Sequence, residues 1–462
     1  MNAASQAARH SHDADVRART GRVSRRGFLR TSTALAGLAA IGSRAAPNRP
    51  IPNILYILCD QLSLNAVGAH GCPWVNTPNL DRLVTEGITF TESHSTNPVC
   101  SPARSSLMTG RMPVETGVIS NSRPIHDSVP NIGQWLGDRG YETVYCGKWH
   151  LPKTYQVEIP GFRSFMVAGQ GCMSDPIVSR ACEGYLRQRT GDEPFLLVAS
   201  FMNPHDICYW SDRADELIPD RMPFDIPGDA LPPLPPNVSA RPQAPDALES
   251  VSRPEFSDDQ WRYYRWIYYR NIEMMDAELG RVLRALEDTG YRDDTLVVFT
   301  SDHGEGGGHH GHVQKWYPYD EALKVPLVLS FPGTIPAGQR DDNHLVSGLD
   351  VVPTLCDYAG VEPPPGTRGA SLRPLAEGRH TEWRDFIAAE CQWVGRVLRT
   401  RRYKYVRYRN DPVEQLFDLQ EDPWETKNLW QEPALKPVLE DHRNRLDKWL
   451  ARLDRVKPTP LM

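Results

Sequence analysis

Short continuous runs of apolar residues recur along the chain, and each has the length of a buried strand. They cover residues 53–59, 194–201, 295–300 and 325–331. Helical spacing lies between them, over residues 79–86 and 132–139 and most clearly over 265–286, where Met275, Leu279, Val282 and Leu286 share one face. Strands that alternate with helices predict an α/β fold with a large, mostly parallel mixed sheet flanked by helices.

The last hundred residues follow a different pattern. Three consecutive prolines within residues 360–366 indicate a linker. Strand-like segments follow at 386–390, 394–400 and 403–407, and then a helical pattern covers 433–453. We therefore predict a main α/β domain over residues 51–365 and a small α+β subdomain over 366–462, with an antiparallel sheet and a helix. The proline-rich residues 222–256 predict a surface loop.

Residues 1–45 do not have the pattern of a folded domain. Arg25-Arg26 lies in a twin-arginine motif, a mild apolar stretch covers residues 34–41, and small residues follow at Ala45 and Ala46. This order predicts a twin-arginine signal peptide, cleaved near Ala45 or Ala46, and hence export to the periplasm or the medium. The alternative is a disordered basic tail. The apolar stretch is too short to span a bilayer, and no cysteine lies at the cleavage region for lipidation, so no stable membrane anchor is expected.

The net charge of the chain limits the kinds of molecule that it is expected to bind. The 462-residue chain has a net charge of −6, and residues 1–45 carry eight arginines and two aspartates, so the remainder carries −12. A protein this acidic is a poor candidate for binding nucleic acid. An anionic substrate would need a local cationic site.

Nine cysteines are present, an odd number without a C-x-x-C pair, which does not fit a disulfide framework. Cys59 and Cys146 lie in apolar surroundings and are predicted to be core thiols. A bridge between Cys172 and Cys182 is left open.

Acidic and polar side chains follow two of the predicted strands. Asp60 and Gln61 come after the first strand, and Asp302 and His303 come after the strand over residues 295–300. Carboxyl ends of parallel strands meet at one edge of a sheet, where ligands bind, so these four side chains could hold one divalent cation. The alternative is that each aspartate only caps a following turn.

A cysteine motif then identifies a family. Cys100-x-Pro102-x-Arg104 is followed by Thr-Gly-Arg at 109–111, and matching motifs occur at residues 77–83, 147–150, 203–205, 300–304 and 416–429. Over about residues 51–430 the chain resembles the type I sulfatases of the alkaline phosphatase superfamily. The resemblance implies an alkaline phosphatase-like fold, a catalytic role for residues 51–365, and a sulfate monoester as substrate, either a small molecule or a sugar.

The resemblance also implies roles for single residues. Cys100 becomes formylglycine through a formylglycine-generating enzyme that reads Pro102 and Arg104. The implied metal ligands are Asp60, Gln61, Cys100, Asp302 and His303. The implied residues that hold the nucleophile and the sulfate oxygens are Arg104, Lys148 and Lys315, and the histidines that move protons are His150 and His205. His205 would protonate the leaving alkoxide, and His150 would act as the base that releases sulfate.

Two positions depart from the common family pattern, which has Asp at 61 and often Asn at 303. Calcium prefers oxygen ligands whereas imidazole suits softer metals, so Ca²⁺ is the first expectation, with Mn²⁺ or Zn²⁺ as alternatives. The Gln61/His303 combination also resembles choline-sulfatases and phosphonate monoester hydrolases. A phosphonate or phosphate ester hydrolase is therefore the main alternative, although Gly-Lys-Trp-His at 147–150 favours sulfate. An inactive binding protein is disfavoured because every catalytic position is filled.

Three further clusters have two interpretations each. His309, His310 and His312 are interpreted as part of a mobile glycine-rich loop at the cleft mouth, with a second metal site as the alternative. The aromatic run 261–269 is interpreted as helix packing rather than a sugar contact. A basic strand region is interpreted as a solvated face, with guidance of an anionic substrate as the alternative; it contains Arg401, Arg402, Lys404, Arg407 and Arg409.

Overall fold

The computed structural model describes residues 51–151, 158–166, 169–218, 226, 230–249, 253–391 and 395–458. The predicted signal peptide and its cleavage site lie outside these residues. The strands are β1 Asn53–Asp60, β2 Ile88–Phe90, β3 Ser93–His94, β4 Glu142–Gly147, β5 Arg163–Met166, β6 Phe195–Pro204, β7 Thr295–Ser301, β8 Leu327–Ser330, β9 Gln339–Asp341, β10 Val346–Ser347, β11 Phe386–Cys391, β12 Gly395–Thr400, β13 Tyr403–Tyr408 and β14 Glu414–Asp418. The helices are α1 Pro78–Thr85, α2 Cys100–Thr109, α3 Pro113–Thr116, α4 Ile132–Gly137, α5 Gly171–Gln188, α6 Ile207–Asp212, α7 Ala214–Leu217, α8 Asp246–Glu249, α9 Asp258–Asp288, α10 Asp320–Leu323, α11 Val351–Tyr358, α12 Arg373–Ala376 and α13 Lys436–Leu450.

Eight strands form the main sheet in the order β5-β4-β6-β1-β7-β8-β2-β9. The pairs on either side of β1 are parallel, whereas β8 runs antiparallel to both β7 and β2. This is the predicted mostly parallel mixed sheet. Strands β1 and β6, which lie at its centre, are buried along their whole length, as their continuous apolar sequences require.

The side chains of β1 alternate between two hydrophobic cores, one on each face of the sheet. Leu55 and Ile57 pack with α1, α5 and α9, whereas Ile54, Tyr56 and Leu58 pack with α2, α4 and α11. Successive residues of a strand point to opposite faces, so a run without polar residues can fill both layers. The sheet is thus covered by helices on both sides, as the sequence predicts.

Helix α9 crosses one face of the sheet and explains the aromatic run. It begins at a capping box in which Ser257 and Gln260 satisfy each other's backbone amides, with two aspartates in the first turn. It ends before Gly290, whose φ of 74° suits glycine. Trp261, Tyr264 and Tyr268 are buried in the core, which confirms the interpretation as packing.

A second sheet lies within the predicted C-terminal subdomain. Its four antiparallel strands follow the order β11-β12-β13-β14. The sequence predicted the first three strands but not β14. One face packs on Tyr317 and Tyr319 of the main region, and the other packs on Leu439 and Leu446 of α13. The proposed boundary near residue 365 remains a prediction.

The prediction that the basic strand region is a solvated face is wrong for one residue. Arg401, Arg402 and Arg409 are exposed, but Lys404 is 0% exposed. Its Nζ lies 2.7 Å from Oδ1 of Asp320, with Glu425 at 2.5 Å. A buried ammonium needs such partners, so Lys404 joins the second sheet to α10 through an ion pair.

The cysteines are unpaired throughout the described residues. Cys59 and Cys146 are buried, which confirms their prediction as core thiols. Cys172 and Cys182 both lie on α5, ten residues apart, where a helix rise of 1.5 Å per residue places them about 15 Å from each other. They therefore cannot bridge. Within the described residues, none of the helices has the length and apolarity needed to cross a membrane.

Candidate active site

The register of the central strands brings two aspartates together at the carboxyl edge of the sheet. Cys59 of β1 pairs with Ser301 of β7, so Asp60 and Asp302 follow side by side. The backbone N–H of Gln61 donates to Oδ1 of Asp302 at 3.1 Å. Both carboxylates are buried, and two such anions in a dry site require cations close by.

Cys100 is the first residue of α2 and lies at the same edge. Its thiol is 1% exposed, with Sγ 3.2 Å from Nε2 of His303 and 3.8 Å from Oδ1 of Asp60. Helix α2 ends at Gly110, whose φ of 68° allows the left-handed turn. Placement at the N-terminus of a helix favours negative charge on Cys100.

Four side chains converge on one point. The ligand atoms of Asp60, Cys100, Asp302 and His303 all lie within 4.8 Å of one another. Nδ1 of His303 donates to the carbonyl oxygen of Gly304 at 2.9 Å, and in the neutral ring this leaves the lone pair of Nε2 facing the cluster. A ring fixed in this way is typical of a metal-ligating histidine. Two carboxylates and an imidazole therefore form a donor set that fits a divalent cation.

The guanidinium group of Arg104 binds both aspartates. Its Nε donates to Oδ2 of Asp302 at 2.7 Å and its Nη2 donates to Oδ2 of Asp60 at 3.1 Å. The remaining donor, Nη1, bonds the Lys148 carbonyl and the Ser200 hydroxyl, each at 2.9 Å. Because Arg104 engages both Oδ2 atoms, the Oδ1 atoms are the ones turned toward His303.

Two buried lysines add positive charge. Nζ of Lys148 lies 2.6 Å from Oδ2 of Asp60, and Nζ of Lys315 donates to Oε1 of Gln61 at 2.6 Å. Burial and Asp60 would raise the pKa of the Cys100 thiol, but the ammonium groups of Lys315 and Lys148 act against them, and that pKa lies well below its usual value. The surroundings of Cys100 thus stabilise an anion.

The two aspartates differ in their affinity for protons. Burial and the neighbouring Asp60 raise the pKa of Asp302 to about 6. Burial also acts against the charge on Asp60, but the cations Lys148 and Arg104 help to hold its pKa well below the usual range. An added cation would relieve the repulsion that makes Asp302 hard to ionise.

His150 and His205 are buried histidines beside Cys100. Burial and the cations Lys315 and Lys148 lower the pKa of His205 to about 4, and burial also lowers that of His150. In each ring the Nδ1 atom has no hydrogen-bond partner among the described residues. Both rings are therefore neutral near pH 7, with a nitrogen free to meet a ligand.

The structure brings the residues selected from the sequence to one place. Asp60, Cys100, Asp302 and His303 form the cluster, and Arg104, Lys148, His150, His205 and Lys315 surround it. Gln61 lies at its border, where its amide oxygen accepts the Lys315 hydrogen bond. Its role as a metal ligand stays a prediction.

Some residues of the site were missed by the sequence analysis. Glu305 is buried and accepts a hydrogen bond from Nε2 of Gln61 at 2.5 Å. Cys208 lies 3.3 Å from the same amide, and the Tyr268 hydroxyl donates to the Gln61 carbonyl at 2.8 Å. The only sequence signal for Glu305 was an acidic residue two positions after His303 in a glycine-rich segment.

The interpretation of the histidine-rich segment as a mobile loop at the cleft mouth is wrong. His309, His310 and His312 are buried and stack on aromatic rings, namely those of Trp424, Tyr319 and Tyr317. Asn237 holds His309 through a 2.6 Å hydrogen bond. These contacts also leave the alternative, a second metal site, without support.

Comparisons with known proteins agree with this site. The Sulfatase family model matches residues 52–361, and the model for the C-terminal region of N-sulphoglucosamine sulphohydrolase matches residues 308–452. The Delta 4,5-hexuronate-2-O-sulfatase of Bacteroides thetaiotaomicron is 31% identical over 452 residues, covering 90% of this chain and 92% of that protein.

Two solved structures are also similar. A 2-O GAG sulfatase superposes with a TM-score of 0.79 at 30% identity, covering 87% of this chain and 92% of that one. The phosphonate monoester hydrolase of Agrobacterium radiobacter shares the fold, with a TM-score of 0.72 at 24% identity over 87% of this chain and 96% of that one. With its family match, mixed sheet and buried Asp/Cys/His cluster, the chain belongs to the type I sulfatases of the alkaline phosphatase superfamily and is a sulfuric ester hydrolase.

Proposed function

We propose that this sulfatase hydrolyses sulfate monoesters through a formylglycine nucleophile derived from Cys100 and one bound divalent cation. The observation that carries the proposal is the position of Cys100, whose Sγ lies 3.2 Å from Nε2 of His303 inside the four-residue cluster. A hydrated aldehyde here would supply one hydroxyl for attack on sulfur and a second for release of sulfate.

The donor set supports a divalent cation held by Asp60, Asp302, His303 and the modified residue 100. When bound, the cation would polarise the nucleophile and the sulfate oxygens. Carboxylate oxygens favour Ca²⁺, which we propose first, and the His303 nitrogen supports Mn²⁺ or Zn²⁺ as alternatives. Arg104 holds both aspartates in the orientation that this requires.

Lys148 and Lys315 are proposed to bind the sulfate oxygens. A sulfate ester spreads its charge over three oxygens, and two buried ammonium groups stabilise charge that shifts during reaction. Because Lys315 and Lys148 are close enough to lower the pKa of His205, an anion bound by them would raise that pKa and let His205 protonate the leaving alkoxide. His150 is the base proposed for the release of sulfate.

We propose a sulfated sugar as the substrate class. The relative with 31% identity over 90% of this chain is a hexuronate-2-O-sulfatase, and the similar solved structure is a 2-O GAG sulfatase. We also propose export by the twin-arginine machinery, because residues 24–46 have the motif, the apolar stretch and the small residues in the required order.

A phosphonate ester hydrolase is the second candidate, and it is favoured by the shared fold with a phosphonate monoester hydrolase. The Lys148-Trp149-His150 sequence favours sulfate, as stated above. Turnover of an aryl sulfate and the matching aryl phosphonate separates the two, since faster phosphonate turnover would overturn our choice.

Mass spectrometry of the peptide that contains Cys100 tests the nucleophile. We expect the mass of an aldehyde in place of the thiol, together with reaction with a carbonyl reagent. An unmodified thiol in fully active protein would contradict the proposed mechanism. As a control, the fraction of modified Cys100 is compared with the specific activity in several preparations, and the two should rise together.

A further inference from the structure

Glu305 is a buried residue beside Gln61, and each polar group around its carboxylate donates a hydrogen bond to it. Oε1 accepts from the Tyr264 hydroxyl at 2.9 Å and from the backbone N–H groups of Gly307 and Gln314 at 3.1 and 2.8 Å. Oε2 accepts from Nε2 of Gln61 at 2.5 Å. Four donors and no acceptor fit an ionised carboxylate, which can only accept.

The side-chain amide of Gln61 lies between this carboxylate and an ammonium group. Its Nε2 atom faces Glu305, and its Oε1 atom accepts from Nζ of Lys315 at 2.6 Å. A carboxylate accepts only and an ammonium donates only, so one orientation of the amide satisfies both neighbours. The reverse orientation would place amide donors against Lys315 and an amide oxygen against Glu305.

Glu305 also supports the backbone next to Lys315. The flanking residues Gln314 and Trp316 have φ angles of 63° and 88°, which are unfavourable for residues with a Cβ atom. The bond from the Gln314 N–H to Oε1 of Glu305 stabilises this conformation, and the Gly306 N–H bonds the Gln314 carbonyl at 2.8 Å. The same carboxylate is thus linked to Lys315 by two routes, through the backbone of Gln314 and through the side chain of Gln61.

We propose that Glu305 is a positioning residue, which fixes the Gln61 amide so that its oxygen holds the Lys315 ammonium in the sulfate-binding position. This inference rests on the proposed role of Lys315 in binding sulfate. In the Glu305–Gln61–Lys315 chain the amide oxygen of Gln61 presents its partial negative charge to the ammonium, whose other hydrogens stay free for a substrate. Loss of the carboxylate lets the amide rotate and turn its donors toward Lys315.

The test begins with Glu305→Gln, which keeps the shape of the side chain and removes its charge. We expect KM for an aryl sulfate to rise by about tenfold or more, because a charge-assisted hydrogen-bond network holds the binding cation. The dissociation constant of inorganic sulfate, measured by calorimetry, should rise in parallel. This second readout does not depend on turnover.

A charge exchange then separates positioning from general stability. In the double variant Gln61→Glu/Glu305→Gln, the introduced amide at 305 can donate to the introduced carboxylate at 61, which still accepts from Lys315. Net charge is unchanged, and we expect the double variant to bind sulfate at least about fivefold more tightly than either single variant, as expected for coupled neighbours. Gln61→Glu alone places two carboxylates together and should be the weakest binder or the least stable.

The matched control is Asp276→Asn, which alters another buried carboxylate that accepts from the backbone N–H groups of Asn79 and Leu80. It should lower the melting temperature and leave sulfate binding within about twofold of the wild type, since the residue lies outside the network. Sulfate binding that weakens equally in the control would show a general effect of stability and overturn the proposal.

The exchange remains decisive if Glu305→Gln does not fold, because the double variant can be compared with Gln61→Glu. A double variant no better than Gln61→Glu, or one that fails to fold when Gln61→Glu folds, would contradict the proposed chain. Turnover of the aryl sulfate by the wild type is measured first. A wild type without turnover would count against the proposed function. An active wild type in which positions 61 and 305 show no coupling would count against this inference alone.

Discussion

The ring of His303 is fixed with Nε2 3.2 Å from Sγ of Cys100, while Nδ1 is 2.9 Å from the Gly304 carbonyl oxygen. In the neutral ring, the bond to Gly304 places the proton on Nδ1 and leaves a lone pair on Nε2, the nitrogen that faces the reactive residue. In this form His303 can bind a cation beside residue 100.

The first prediction concerns the cation. Removing it with a chelator should abolish turnover and lower the melting temperature by several degrees, because Asp60 and Asp302 lose the charge that neutralises them. His303→Asn replaces nitrogen by oxygen and should shift the preference of the protein from Mn²⁺ or Zn²⁺ toward Ca²⁺ by about tenfold. Metal content after dialysis against equimolar ions measures the shift.

His442→Asn is the control for this experiment, since His442 is also buried but lies in the C-terminal region. It should leave metal content unchanged. An unaltered metal preference in His303→Asn would show that His303 is not a ligand.

The second prediction concerns the nucleophile. Cys100→Ser provides one hydroxyl where an aldehyde hydrate provides two, so it should release about one equivalent of alcohol and then stop. Steady-state turnover should fall by about a thousandfold or more, the scale seen when a nucleophile is lost. Stopped-flow kinetics and intact mass measure the burst and the sulfated protein.

Cys356→Ser makes the same change at a buried cysteine on α11 and should retain turnover. Sustained multiple turnover by Cys100→Ser would refute the proposed role of residue 100.

The third prediction concerns the ion pair between α10 and the second sheet. Lys404→Met leaves Asp320 and Glu425 buried without their ammonium partner, and breaking a buried pair in this way should lower the free energy of unfolding by about 3 kcal/mol or more. Urea denaturation measures the change. Arg407→Met, on the same strand, removes a partly exposed pair with Asp447 and should cost less than about 1 kcal/mol. Equal losses in the two variants would be inconsistent with the buried pair.

The fourth prediction is a pH dependence of stability. Burial raises the pKa of Glu390 to about 7, with Arg396 opposing, against a usual value of 4.5. Between these values the folded state binds more protons than the unfolded state, so this group's contribution to stability is complete below about pH 4.5 and is lost as the pH rises through about 7. The loss amounts to about 3 kcal/mol.

Glu390→Gln keeps the neutral form at every pH and should flatten this fall. Urea denaturation of the wild type and the variant at about pH 5 and about pH 8 gives the comparison, since other groups titrate equally in both proteins. A difference between the two proteins that does not vary with pH would contradict the pKa shift.

Hydrophobic periodicity was sufficient to predict the main sheet because its central strands are apolar along both faces. Strand β4 was missed because Glu142 and Thr143 interrupt its apolar pattern at the start, and β14 was recognised only as a family motif. Asp60 and Asp302 could be placed together from the sequence, since parallel strands align their carboxyl ends.

The errors have one physical origin, namely contacts between residues far apart in the chain. The local sequence predicts that Lys404 is exposed, but the fold places it against Asp320. It likewise predicts that His309 is mobile, but the fold packs it against Asn237 and Trp424. The role proposed for Glu305 likewise depends on its hydrogen bond with Gln61, which is 244 positions away in the chain. Local sequence patterns carry no information on such partners.

The burial of Cys100 has a consequence for how much active enzyme a cell obtains. Since the folded chain exposes only 1% of this residue, an enzyme that oxidises its thiol must reach it before α2 packs onto the sheet. Under the proposed formylglycine mechanism, folding and modification therefore compete for each newly made molecule. The active fraction then depends on the rate of modification relative to the rate of folding, so slower folding or more modifying enzyme would raise specific activity without altering a residue of the site.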